Sequence, residues 1–503
     1  MLTAAAGALR GEVKLPPHFG SHMVLQRDMQ VPIWGTAGPG EAVTVAFAGQ
    51  TKAARAGADG RWRVELDPMS ASAESRPLVV AGANRDRAVR CDDVLVGEVW
   101  LCSGQSNMDF TVAKTEKYYF AGVDNEAQEV AAANFPLIRA FTGEWLRRYE
   151  PQTDVPGAWR ACTPETAREF SAIGYFFARD LQKEIGSPVG LIVETFGAST
   201  AQAWIRREAI AADPRLKPVL DEFDARVKAY SPPTEEELKP WREAVAKARA
   251  EGKRPPRAPR PDPVQDQHNP TVMFNGMIAP IVPCAIRGVL WYQGESITDP
   301  KELFPLWNET LITDWRKLWG RERTRAGVDP LPFYFVQLAA LKANSNTPTV
   351  REQQALALAL PDTGMAVTID IGDPDNVHPK NKQDVGARLA RIALARTYGR
   401  PVEDSGPVYG SMQVAGSAVR IKFSHLGGGL VARGGGLKTF VVAGSDGKFA
   451  PAAAQIEGDT VVVSSPEVLA PVAVRYAWEN YPEGCNLYNV AGLPAAPFRT
   501  DHP

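Results

Sequence analysis

The sequence predicts an α/β protein: a parallel sheet covered by helices on both faces, with an all-β region on either side of it. Three observations carry this. Near-continuous apolar runs recur from about residue 93, namely DVLVGEVWLC, PVGLIVETFG, AIRGVLWYQG, LPFYFVQLA and GMAVTIDIG. Strands buried on both faces read this way, without polar alternation. Between the runs lie segments of helical period, and that alternation marks a covered parallel sheet. Outside them, residues 24–90 and 401–503 carry only short β-branched or aromatic runs split by glycine- and proline-containing turns, as small sandwiches do.

Taken in order, residues 12–92 are expected to form an N-terminal β-sandwich region from runs such as VPIWG, AVTVAFAG and RWRVELDP. Residues 93–400 are the α/β region. One helix is expected in SAIGYFFARDLQKEIG, with Ile173, Phe177, Leu181 and Ile185 on one face and Gly186 as its stop. Another is expected in DVGARLARIALARTYG, with Val385, Leu389, Ile392 and Ala393 on one face. Residues 215–263 interrupt this pattern with a charged, then Pro/Arg-rich stretch that reads as a solvated excursion. Residues 401–503 return to β signals in SAVRIKF, KTFVVAG, TVVVSS and VAVRYAW.

With 503 residues, 44% apolar and 23% charged, the chain has the composition of an ordinary globular protein of several domains. A net charge of −2 gives no pointer to nucleic acid or an anionic membrane as partner. No run of eighteen apolar residues occurs, so no membrane span is expected. The five cysteines are odd in number and lack metal-like spacing, so neither a disulfide framework nor a zinc site is expected. The Ala-rich start reads equally as the tail of a signal peptide or as a plain terminus. A periplasmic or secreted location is the expectation.

Chemistry in such a sheet sits at the carboxyl ends of the strands. VWLCSGQSNM is a strand end followed by a glycine turn, and it offers Ser103 and Ser106 as nucleophiles. A serine nucleophile needs a base, usually histidine, and the histidine an orienting group. Of six histidines, only His268 and His378 fall in the α/β region. His378 follows an apolar run in DIGDPDNVHPKNK, with Asp375 three residues before it and Asp373 and Asp370 further back. A metal site built from Asp370, Asp373, Asp375 and His378 ranks below a triad, because further ligands are not evident. Two more strand ends are polar: VETFGASTAQAW places Gly197, and LWYQGES places Gln293 and Glu295. Met108 stands where a Gly-x-Ser-x-Gly elbow needs its second glycine, so this is not an ordinary α/β-hydrolase turn.

GEVWLCSGQSNM, GLIVETFGASTAQAW, TVMFNGMIAPI, GVLWYQGES and VHPKNKQDVG together resemble the sialate O-acetylesterases and related carbohydrate acetylesterases of the SGNH hydrolase superfamily. The resemblance runs through roughly residues 20–500 as an arrangement and is strongest in SGQSNM paired with WYQGES. It implies a flavodoxin-like three-layer SGNH hydrolase domain and hydrolysis of acetyl esters on sugars, with no metal and no cofactor. The implied partner is an acetylated oligosaccharide or polysaccharide, from sialic acids to xyloglucan-type plant polysaccharide. Position by position, Ser106 matches the nucleophile, His378 the base and Gly197 an oxyanion donor beside the N–H of Ser106. Gln293 occupies the block where many SGNH enzymes carry asparagine, and is expected as the third oxyanion donor. Asp375 has the superfamily's Asp-x-x-His spacing; Asp373 and a bare Ser–His dyad are the alternatives. His268 and Trp204 are candidates for the sugar site. A non-catalytic carbohydrate-binding protein and a serine esterase or thioesterase for longer acyl chains are the competing readings. High Ala, Gly, Pro and Arg usage suits a bacterium with a GC-rich genome.

Overall fold

The computed structural model describes residues 12–253, 255–297, 300–322, 329–343 and 347–501. The Ala-rich start lies outside the described residues. The central strands are β1 (Val89–Gly104), β2 (Phe135–Gly143), β3 (Gly157–Cys162), β4 (Val189–Thr195), β5 (Gly288–Tyr292), β6 (Phe333–Val336) and β7 (Thr363–Ala366). They lie in the order β7-β6-β5-β1-β4-β2-β3. Neighbours pair in parallel except β2 with β3, which is antiparallel. The wholly parallel sheet expected from the sequence is therefore a mixed one. Its edge strand β3 belongs to the stretch between the apolar runs, and only Trp159 and Cys162 of β3 are buried.

Strand β1 is 16 residues long, and residue 93 lies inside it. Its first half pairs with Ser72–Ala81 and Val24–Gln26, its second half with β4 and β5. One sheet of 11 strands results. Glu98, in the middle of β1, is completely buried between Arg27 of the N-terminal region and Arg287 at the entry to β5.

The helices that position the site are α1 (Ser106–Asp109), α2 (Ala172–Ile185), α3 (Phe304–Leu318) and α4 (Lys382–Arg396). Alternate β1 side chains feed two separate cores, as the pleat requires. Trp100 and Cys102 pack with Ile173, Phe177, Leu389 and Ile392 of α2 and α4. Val99 and Leu101 pack on the other side with Trp307, Leu311 and Trp315 of α3. The α2 ends are local: Ser171 accepts from Gly174 N at the start, and Gly186 stops the helix at φ 65°. In α4, Gly386 lets α2 approach; a Cβ there would stand 2.5 Å from Phe176 Cβ.

The excursion contains helices over Lys217–Ala229 and Glu235–Ala250, and the second buries no residue. Its start is held by a capping box between Thr234 and Glu237. The C-terminal region holds two four-stranded antiparallel sheets around a third core. That core also takes Val367 and Ile369, the residues after β7. The strand expected to run to Asp370 ends at Ala366, because these side chains leave the sheet for the C-terminal core. All five cysteines are free thiols. Among the described residues no helix is long and apolar enough to cross a membrane.

Candidate active site

The carboxyl end of β1 makes a turn that only glycine permits. Gly104 has φ 131°, and a Cβ there would stand 2.2 Å from the carbonyl oxygen of Tyr292 in β5. Gln105 N donates to that same carbonyl at 2.9 Å. The Gln105 side-chain oxygen accepts from Gly294 N and Ser296 N, each at 3.3 Å. The turn is thus fastened to the end of β5, and Ser106 emerges from it as the first residue of α1. At the other end of α1, Asp109 accepts from Thr195 Oγ1 at 2.6 Å, which fixes α1 to β4.

Ser106 Oγ lies 2.9 Å from His378 Nε2. Ser103 stays in β1, completely buried, with no partner for its hydroxyl among the described residues. Gly197 reaches the same place from β4: a Cβ there would lie 3.9 Å from Ser106 Cβ. Phe196 N donates to Gly104 O at 3.0 Å, which sets that approach. Among the described residues, the N–H groups of Ser106 and Gly197 are not spent on other hydrogen bonds. Two free N–H groups beside a serine oxygen can receive a developing oxyanion.

The His378 ring is half-buried under Phe120, 4.6 Å away and tilted by 34°. Burial, and then the nearby Lys382 ammonium, hold its pKa down at about 4. The imidazole is therefore the neutral acceptor at ordinary pH. Asp375 does not join it. Among the described residues no carboxylate oxygen lies within 4.0 Å of the His378 ring nitrogens. The loop uses its polar side chains on its own backbone instead. Asp373 Oδ1 accepts from the N–H groups of Asp375 and Asn376 at 2.9 and 3.0 Å, and Asn376 Oδ1 from His378 N at 2.9 Å. Asp375 itself is exposed. Asp370 is engaged by Arg388 and Tyr488. The four residues of the rival metal site do not converge; among the described residues the metal-like cluster is Glu403, Asp404 and His425, in the C-terminal region.

Two further expectations are corrected. Gln293 is almost wholly buried, and its amide donates to Ser296 O at 2.7 Å and Ser199 O at 3.3 Å. Its N–H groups are consumed in holding the β5 turn to the loop after Gly197, so they are not offered to Ser106. Trp204 is completely buried; it donates to Ser199 Oγ at 2.9 Å and meets Trp291 edge-on. A ring sealed in the core has no face for a sugar. His268 pairs with Asp266 at 2.6 Å, while its carbonyl accepts from Thr200 Oγ1 and Gln202 Nε2 at 3.1 Å each. It braces the Gly197 loop from behind.

What composition and spacing did not single out is the surround. Phe120, Tyr118, Trp145 and Phe196 form an arc, with successive ring centroids 6.3, 5.9 and 5.5 Å apart. It runs from His378 to the residue before Gly197, and Trp145 is 39% exposed on it. Beneath Ser106 lie Asn107, Lys382 and Glu295. Each falls inside a quoted motif, but nothing in sequence spacing says that they meet.

The whole constellation suits attack by a serine hydroxyl on an ester, with histidine as base and backbone N–H groups for the oxyanion. Comparison with known proteins agrees. A family model described as "Carbohydrate esterase, sialic acid-specific acetylesterase" matches residues 268–395. The rat (Rattus norvegicus) sialate O-acetylesterase is 29% identical over 96% of this chain and 93% of its own length. The human (Homo sapiens) sialate O-acetylesterase is 26% identical over 96% and 91%. The crystal structure of a carbohydrate acetylesterase from Xanthomonas citri is 35% identical, covers 98% of this chain and 100% of its own, and superposes with a TM-score of 0.81. On this evidence the chain is an esterase and belongs to the family of carbohydrate acetylesterases that includes the sialate O-acetylesterases.

Proposed function

We propose that this chain releases acetate from O-acetylated glycans through a Ser106–His378 dyad. The observation that carries the proposal is the 2.9 Å contact between Ser106 Oγ and His378 Nε2, beside the unspent N–H of Gly197. Ser106 Oγ attacks the acetyl carbonyl as His378 Nε2 takes its proton. The N–H groups of Ser106 and Gly197 meet the tetrahedral oxyanion. His378 then protonates the departing sugar hydroxyl, leaving an acetyl-Ser106 ester. Water, deprotonated by the same imidazole, attacks that ester and releases acetate. The aromatic arc supplies the sugar contact, with Trp145 as its exposed ring.

The proposal extends to the layered SGNH arrangement, to the units 12–92, 93–400 and 401–503, and to a periplasmic or secreted place of action. The layering is supported by the two cores on opposite faces of the sheet. Among glycans, acetylated sialic acids and xyloglucan-type polysaccharide are the substrates put forward. The rat and human relatives support the first, the resemblance of the motifs the second.

Acetate release from a panel of acetylated sialic acids and xyloglucan fragments tests the substrate. p-Nitrophenyl esters of increasing chain length test the acyl preference, for which acetate alone should be turned over well. Turnover that rises with chain length overturns the acetylesterase reading. Ser106→Ala should lower kcat by at least about 1000-fold; near-normal acetate release from it overturns the dyad.

A further inference from the structure

Asn107 follows Ser106 in α1 and is completely buried. Its amide nitrogen donates to the carbonyl of Val377, the residue before His378, at 3.0 Å. The same nitrogen donates to Glu295 Oε1, in the turn after β5. Its amide oxygen accepts from Lys382 Nζ, on the first residue of α4, at 2.6 Å. One side chain therefore joins the nucleophile's turn, the base's loop, the β5 turn and α4.

The chemistry of this junction admits an amide and little else. A lysine ammonium only donates, so the atom facing Lys382 must be an acceptor. A carbonyl only accepts, so the atom facing Val377 must be a donor. An aspartate at 107 would lose both donors and set a second carboxylate against Glu295. Leucine would leave buried donors and acceptors without partners, a costly state. The amide's own orientation is fixed by its holders. Lys382 is 1% exposed, lies 4.6 Å over the Phe110 ring, and has no carboxylate within ion-pair distance among the described residues.

In the familiar triad a carboxylate on the second imidazole nitrogen orients the ring. No described carboxylate occupies that place here. The hold on His378 comes instead through its backbone, at Val377.

We propose that Asn107 is the positioning residue of the Ser106–His378 pair: its buried amide, held by Lys382 and Glu295, locks the His378 loop onto the nucleophile's turn and takes over the orienting task of a triad carboxylate. This rests on the reading of Ser106 and His378 as nucleophile and base. Asn107 touches neither the substrate nor the reacting atoms, so its loss should fall on kcat rather than KM.

The test is steady-state hydrolysis of p-nitrophenyl acetate by the full chain, with pH profiles, for Asn107→Ala, Asn107→Asp, Lys382→Met and Glu295→Gln. Asn107→Ala should lower kcat on the order of 100-fold, the scale of a misplacement of about 1 Å, with KM within about threefold. Asn107→Asp should regain activity as the pH is lowered toward, but not through, the acid limb of His378 near 4, because a protonated carboxyl again donates to Val377, whereas a purely structural defect gives a loss without that dependence. Glu295, Lys382 and His378 face the new carboxyl and are covered by the two other variants and the wild-type profile. If Asn107→Ala does not fold, Lys382→Met and Glu295→Gln carry the test, each lowering kcat with KM held. Full kcat in the folded variants, or a rise in KM with kcat unchanged, overturns the proposal. An active Ser106→Ala enzyme defeats the dyad itself; an inactive Ser106→Ala with a fully active Asn107→Ala defeats only the positioning role.

Discussion

The middle of β1 and the turn that follows its end handle buried charge in opposite ways. Glu98, in the middle, touches Arg27, Arg287 at 2.7 Å and Gln26 at 3.0 Å. Burial raises its pKa, but the hydrogen bonds and charge of Arg287 and Arg27 outweigh that and hold it below the ordinary glutamate value. Past the end, Asn107 stands between Lys382 and Glu295. Burial draws Lys382 down to about 7, against the pull of Glu295. Burial likewise drives Glu295 up to about 7, against the Asn107 hydrogen bond and Lys382. Direct contact makes Glu98 a clamp between the N-terminal region, β1 and β5. An interposed amide leaves Lys382 and Glu295 both titrating near 7, so at the lower pH where His378 titrates Lys382 is a cation near enough to depress it. The first arrangement serves the fold, the second the site.

The sharpest break between the two regions is Ser106→Ala, whose loss of kcat should come with an unchanged unfolding transition. Next in size is Glu98→Gln. Leaving Arg27 and Arg287 without their carboxylate should cost about 3–5 kcal/mol in denaturant unfolding, while activity per folded molecule stays the same. A fall in kcat there as large as in the dyad variants would erase the distinction.

The pH profile sharpens the contrast at the active end. As the proposed base, His378 must be unprotonated, and its pKa is lowered from 6.5 to about 4. The rate should therefore rise as pH increases through about 4 and already be level at 6.5. Removing the second cause in Lys382→Met should move that acid limb upward, while burial keeps it below 6.5. A wild-type midpoint at the ordinary histidine value would contradict the burial of His378 first and the charge of Lys382 second as the causes of its lowered pKa. The smallest effect is expected from Asp375→Asn, an exposed change that should alter kcat no more than about twofold. A 100-fold loss would return a carboxylate to the imidazole.

The difference between Ser106 and Asp375 shows what the sequence made legible. Ser106 and His378 were readable because each follows an apolar run, and a parallel sheet brings such strand ends together. Asp375 had the right spacing to His378, but spacing does not say whether a loop turns its carboxylates to a ring or to its own N–H groups. Asp373 and Asn376 took the second course. Gln293 and Trp204 misled for a related reason. An amide or an indole at a strand end reads as functional, yet both found partners around Ser199 and were sealed.

By itself the sequence determined the strand and helix alternation, the β regions on both sides and the candidate pair, because periodicity and glycine turns are local properties. The tertiary structure alone decided that β1 runs unbroken from the N-terminal strands into the central sheet. It alone decided that the edge strand is antiparallel, and that Asn107, Lys382 and Glu295 meet under Ser106. The Asn107 contacts to Lys382 and Glu295 span 275 and 188 residues, and no local pattern encodes which buried donor will face which buried acceptor.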